Sequence, residues 1–541
     1  MDLVLRGADV VDGSGAPAQR VDVGIQGDRI VAVAPDVDGG AAAEVALDGL
    51  VLAPGFVDVH THLDAQVLWD PDVTPCSWYG VTSVVMGNCG FGIAPTRPEH
   101  REAVTRIMES VEDMSYECLQ AGINWDFETF PEYLDTLDRV PKRINVAAMV
   151  GHTPTRLFVL GDEADERSEL AAGELAQMRS IVDEALAAGA VGFATSRFPT
   201  ANGRDGKPVP SRLASADECR HLAEAVQASG HGVFMAAWGP GLEPHDMTRL
   251  AEDLHIPVTW APFQARFLSE VARTTARVVP QVLTRPFVAQ VNLRKPFFFA
   301  MLDEFKQIIE SPPERRASVY ADPAWRDLAR PALHGSRFGR SLTAMVICDS
   351  PNQPALINRR LADVADERGV DVFDAMIDVA MVDDLDTRFE LTLGEVDAAF
   401  MTELLTSEHC VIALGDAGAH ATQLCDACQP VSFLQDWVRE RKAVSLEHAI
   451  WRLARQPAEL FGFHDRGRIE VGAIADLVAF DPDTVGVSGR ERVFDLPAGS
   501  ERLIIRATGI EHVWVNGVAV RRDGVEVPGA HPGRLLRGGV A

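Results

Sequence analysis

No stretch of the 541-residue chain approaches the roughly 18 uninterrupted apolar residues of a membrane span. Basic charge is short as well. The 50 Lys and Arg stand against 79 Asp and Glu, a net charge of −29, and a nucleic-acid binder would need a basic face. The acid is spread along the chain rather than gathered in a tail, so it reads as solvated surface. Cysteine is scarce: 8 residues form no small disulfide framework, and the CxxC of Cys425 and Cys428 stands alone. The opening run, MDLVLRGADVVDG, carries Asp2, Arg6 and Asp9 and lacks the apolar core of a secretory signal. The expectation is a cytoplasmic protein with reduced thiols and neither a membrane nor a nucleic-acid partner. Compositional bias is missing too. With 47% hydrophobic and 24% charged residues the chain is globular, and about 150 residues per domain allows three to four domains.

What is present is a division between the ends and the middle. The first fifty-odd residues read as short strands, with Gly27-Asp28 between two apolar runs as a hairpin turn. The last seventy or so look alike, with a strand in ADLVAFDP and a hairpin on Asn516-Gly517. Residues 1–55 and 466–541 are therefore expected to build one small composite β domain, a β-sandwich. Between them, apolar runs recur at FVDVH, SVVMGNC, INVAAMVGH, AVGFATS, GVFMAAW, PVTWAPF, FVAQVNL and CVIALGD. Most are separated by helical stretches such as ELAAGELAQMRSIVDEALAAG, and Ser215 with Glu218 forms a capping box. Eight strands alternating with helices predict an α/β protein with a (β/α)8 barrel over residues 56–465. The stretch after FVAQVNL, about 296–345, is too long for one crossover and is expected to be an insertion over the barrel mouth.

The most specific motif is GFVDVHTHLD, residues 55–64. His60 and His62 are two apart at the end of the first barrel strand. Residues i and i+2 of a strand share a face, so both imidazoles can point into the barrel at its C-terminal rim, where barrel active sites lie. Two neutral imidazoles on one face suit a divalent metal. Asp416, in ALGDAGAH, follows the eighth run and places a carboxylate at the same rim.

These motifs resemble the amidohydrolase superfamily and, more narrowly, its D-aminoacylase group, the N-acyl-D-amino-acid deacylases. MGNCGFGIAP (86–95), VGHTPTR (150–156) and ARQPAELFGFHDRGRIEVGAIADLVAFDP (454–482) carry the narrower likeness, which covers most of the chain. The resemblance implies that Cys89 is a metal-bridging ligand and that Asp416 is both metal ligand and general base. Other amidohydrolases use a carboxylated lysine on the fourth strand. The fourth strand here, GAVGFATSRF, has no lysine, which favours Cys89, and a nearby dication lowers a thiol's pKa. His152, in VGHT, is expected to contact substrate or an oxyanion. His420 is expected to hydrogen-bond substrate or Asp416.

The chain also departs from the group. Histidines expected after the fifth and sixth strands are replaced by Met235, Ala236 and Ala237 and by Pro262, Phe263 and Gln264. The second metal site is thus expected to be dismantled, leaving one divalent ion per chain, and zinc suits a His/Cys/Asp set with a position open for water. The lysine that follows the sixth-strand histidine is missing as well. In its place the mouth is rich in Phe91, Phe198, Trp238, Phe263, Phe267 and Phe297 to Phe299. Trp238 is expected to touch substrate. Arg294 is the first choice for pairing with a substrate carboxylate, ahead of Arg197 and Arg266.

The function this implies is metal-dependent hydrolysis of a C–N bond in an amide or cyclic amide, on a small-molecule substrate, by an N-acyl-D-amino-acid deacylase-like enzyme. Two alternatives share the frame. One is a single-metal enzyme of altered chemistry, for example a decyclase. The other is a barrel that has lost catalysis and binds a small ligand. Oligomeric state stays open.

Overall fold

The computed structural model describes residues 1–37, 40–203, 206–263, 271, 277–296, 299, 302–336, 338–393 and 397–539. Eight parallel strands follow one another around a circuit: β1 (Phe56–Asp58), β2 (Val81–Met86), β3 (Asn145–Ala148, resumed at Val150–Gly151), β4 (Gly192–Ser196), β5 (Val233–Ala237), β6 (Val258–Ala261), β7 (Val278–Val282) and β8 (Val411–Ile412). Each pairs in parallel with its sequence neighbour, for example Val57 with Ser83 and Gln281 with Val411. The circuit closes through a parallel bridge between Thr61 and Ala417, where the His62 amide donates to the Ala417 carbonyl at 2.7 Å. These strands are nearly all buried, as expected of a parallel sheet covered on both faces. The inside is filled by small or slender side chains, among them Val57, Val85, Ala147, Ala194, Met235 and Ala413.

The two ends of the chain meet in one nine-stranded sheet. Val51–Pro54 from the first end pairs antiparallel with Leu477–Phe480 from the second. A separate hairpin, Gly486–Leu496 with Ser500–Thr508, extends from it. The Gly27-Asp28 and Asn516-Gly517 turns lie where the sequence places them, at the ends of the pairs Gln26–Arg29 and Val515–Val518. No helix among the described residues is long and apolar enough to cross a membrane.

One strand assignment needs correction. FVAQVNL is not the seventh barrel strand. Phe287–Val291 pairs antiparallel with Arg388–Leu393, which pairs in turn with Val346–Asp349. This three-stranded sheet and its helices surround their own core of Phe299, Phe305, Trp325, Phe338, Phe373 and Phe389. The true β7 holds Pro280, paired with Trp260. Proline within a short run reads as a strand breaker, and a parallel strand tolerates it only where its missing N–H is not needed. The excursion from the barrel therefore reaches beyond 296–345 on both sides.

Candidate metal centre

Four side chains from three places on the rim converge. His60 and His62 leave the end of β1 on one face, as their spacing requires. Cys89 follows β2 in a tight turn. Gly87, at φ +82°, makes that turn possible, because a Cβ there would lie 2.3 Å from the Met149 carbonyl oxygen. Cys89 itself adopts φ +55° and its amide reaches Met235 Sδ at 3.3 Å. Asp416 follows β8, also with a positive φ of 47°. Strained, left-handed backbone at two site residues fits a geometry that the surrounding fold imposes.

His60 Nε2 lies 3.3 Å from His62 Nε2, 3.5 Å from Cys89 Sγ and 3.1 Å from Asp416 Oδ1. The ligand atoms of His60, His62 and Cys89 lie within 4.8 Å of one another, a spacing that a single cation can span. Each outward nitrogen has an oxygen beside it. The Gln281 side-chain oxygen lies against His60 Nδ1, a contact that suits a proton on Nδ1 and leaves Nε2 toward the cluster. His62 Nδ1 lies 3.1 Å from Glu112 Oε1, close but off-axis, an electrostatic contact rather than an aligned hydrogen bond. It favours the same tautomer. Carboxylate or carbonyl partners on the far nitrogen are the usual support of metal-binding histidines. Asp416 Oδ1 is buried and accepts no hydrogen bond, although its side chain retains 19% exposure to the cavity.

The electrostatics fit a cation. Burial pushes both imidazoles toward neutrality. For His60 the charges of Cys89 and Asp416 outweigh it, and for His62 Glu112 and a hydrogen bond to Cys89 do so, so both sit above the ordinary histidine value. Burial likewise pushes the Cys89 thiol up, but His60 and then His62 hold it below the ordinary cysteine range. Behind them, burial lifts the Asp58 carboxyl to about 6 and that of Asp64 to about 7.

The cluster forms the floor of a cavity of about 860 Å3. Its walls are largely apolar, with Phe91, Phe198, Ala237, Pro262, Leu283 and Phe287. Ala237 and Pro262 stand at the ends of β5 and β6, where the second histidine pair is absent. Gln264, Arg266, Phe267, Phe297 and Phe298 lie outside the described residues.

The structure brings His60, His62, Cys89, Asp416 and His420 to this cavity. It takes three other expected substrate contacts elsewhere. His152 is fully buried between Thr195 Oγ1 and Glu218 Oε1, each at 2.8 Å, and Arg156 shares that glutamate. It fastens a helix rather than facing the cavity. Trp238 is not among the lining residues; it packs half-buried against the main core, and its indole N–H donates to the Pro262 carbonyl at 2.7 Å. Arg294 belongs to the inserted sheet region and pairs with Asp386 at 2.7 Å. It was misplaced with the seventh strand. Of the alternative arginines, Arg197 is not among the lining residues. Two polar residues were missed. Glu112 ends helix α1 (Arg101–Glu112) and Gln281 sits on β7. Neither belongs to a local motif, and only the packing of distant segments gives them a role.

The amidohydrolase family profile matches residues 43–281 and 396–521. A D-aminoacylase from Alcaligenes xylosoxydans is 29% identical over 546 residues, covering 99% of this chain and 97% of that protein. A crystal structure of D-aminoacylase superposes with a TM-score of 0.68 at 26% identity, covering 99% of both chains. A crystal structure of N-acyl-D-glutamate deacylase from Bordetella bronchiseptica, complexed with zinc and a phosphonate inhibitor, does so with a TM-score of 0.67 at 25% identity and the same coverage. With more than half its length matched by the profile, the chain belongs to the amidohydrolase family.

Proposed function

We propose that this protein is a metal-dependent hydrolase that cleaves the C–N bond of an N-acyl amino acid, in the manner of the D-aminoacylase and N-acyl-D-glutamate deacylase it resembles. The observation that carries this reading is the convergence of His60 Nε2, His62 Nε2, Cys89 Sγ and Asp416 Oδ1, with both outward histidine nitrogens supported. The mixed N, S and O donor set fits one zinc ion per chain. A dication bound there polarises the scissile carbonyl and acidifies water.

The protein's own groups supply the rest. Gln281 and Glu112 fix the imidazoles so that two neutral nitrogens face the site. Asp416 combines a buried oxygen beside His60 with an edge open to the cavity. It is placed to take a proton from the attacking water and pass it to the departing amine nitrogen. The apolar walls exclude bulk water and strengthen each electrostatic contact within them. The absence of histidine at Ala237 and Pro262 supports a single ion rather than a pair.

The test is a panel of N-acyl-D- and N-acyl-L-amino acids with acetyl and longer acyl groups, assayed by release of free amine. Metal-dependent release from the D series is expected, with longer apolar groups preferred because the cavity lies toward the upper end of the usual range of about 300–1,000 Å3. Release that persists unchanged after the metal is stripped, or no release from any member, contradicts the reading.

A further inference from the structure

The cavity has two sources of walls. The barrel rim provides the cluster and most of the apolar floor, while the excursion between β7 and β8 provides Phe287, Ser336, Arg340, Ser341 and Thr392. Among the described residues that line it, Arg340 is the one lysine or arginine. It lies on a short helix, α2 (Phe338–Ala344), and is solvent-exposed. Other arginines of the same region are committed: Arg294 to Asp386, Arg326 to Asp378, Arg330 to Asp374. The Arg340 guanidinium has no ion-pair or hydrogen-bond partner among the described residues.

We propose that Arg340 binds a carboxylate of the substrate, so that the inserted region, not the barrel rim, selects an acidic amide; this rests on the hydrolase reading given above. A carboxylate entering a largely apolar chamber loses its hydration, and Glu112 and Asp416 line the same chamber. A guanidinium in its wall compensates, because its planar donors match a carboxylate bidentately. Arg340 also falls in the gap between the two family-profile matches, 43–281 and 396–521. The substrate class is therefore a carboxylate-bearing amide with a large apolar group: the acid on Arg340, the apolar part against Phe198, Leu283 and Phe287, the scissile bond over the cluster.

The experiment compares wild type, Arg340→Ala and Arg340→Lys on matched pairs, each a long-chain N-acyl-D-amino acid and its primary carboxamide. Isothermal titration accompanies it, with the uncleavable ketomethylene analogues (–CO–CH2– in place of –CO–NH–) of the same acid and carboxamide. In wild type the acid is expected to exceed the carboxamide by about 30-fold in kcat/KM, carried by KM, with a matching preference in analogue affinity. In Arg340→Ala the ratio collapses toward one, and Arg340→Lys restores part of it. A wild type that does not prefer the acid, or an acid preference that survives Arg340→Ala, overturns the assignment. If no amide of the panel is cleaved, the hydrolase reading fails, while the two analogue affinities in wild type and Arg340→Ala still decide the role of Arg340.

Discussion

The barrel rim and the inserted region face each other across one cavity, and they are built on different terms. On the rim, both histidines are buried and three of the four cluster groups have a fixed neighbour: His60 with Gln281, His62 with Glu112, Cys89 over Met235. The inserted wall offers an exposed guanidinium without an ion-pair partner among the described residues, and hydroxyls on a separate core. The family profile covers the first wall and skips the second. A rigid barrel that holds the reactive groups, and an added element that can vary without disturbing them, is the arrangement by which one fold serves many substrates.

If the division holds, damage to the rim should affect every substrate and damage to the insert only some. The largest effect is expected for Asp416→Asn. The amide keeps an oxygen beside His60 but cannot accept a proton. Turnover should fall by about 10²- to 10⁴-fold on all amides alike, with metal content largely kept. A loss confined to one substrate class would break the division. Phe287→Ala probes the other wall. It should lower kcat/KM for long N-acyl groups about tenfold, from roughly 50 Å2 of lost apolar contact at about 25 cal/mol per Å2, and leave short acyl groups within about twofold. Equal losses on both would mean that the insert supports the catalytic geometry.

The smallest effect concerns Asp426, buried behind Asp416. Burial, with the Asp416 charge adding and Arg285 opposing, lifts its carboxyl to about 6. A folded value above the unfolded 3.8 favours the neutral form. The stability it brings is complete below about pH 4 and is lost as pH rises through about 6, at most about 3 kcal/mol. Asp426→Asn should therefore shrink the drop in Tm between pH 5 and pH 8 by a few degrees. Parallel drops in variant and wild type would place the source elsewhere.

The rim was legible in the sequence because its signals are local. Two histidines two apart on a strand must share a face, and an acid directly after the eighth run must sit at the same rim. The insert was not legible for the opposite reason. Pro280 disguised β7, the next good β run, Phe287–Val291, took its place, and Arg294 followed that run to the wrong site. Glu112 and Arg340 reach the cavity, and Gln281 reaches His60, through long-range packing that no spacing encodes. His152 shows the limit of motif position alone. It ends a strand at the rim, yet Thr195 and Glu218 turn it into the core.

The most direct measurement is titration of the metal-free protein with zinc, following turnover of a long-chain N-acyl-D-amino acid and bound zinc per chain together. One equivalent is expected to bind tightly and restore full turnover, with no further gain from a second. A requirement for two tightly bound ions, or full turnover with none, would contradict a single centre on His60, His62, Cys89 and Asp416.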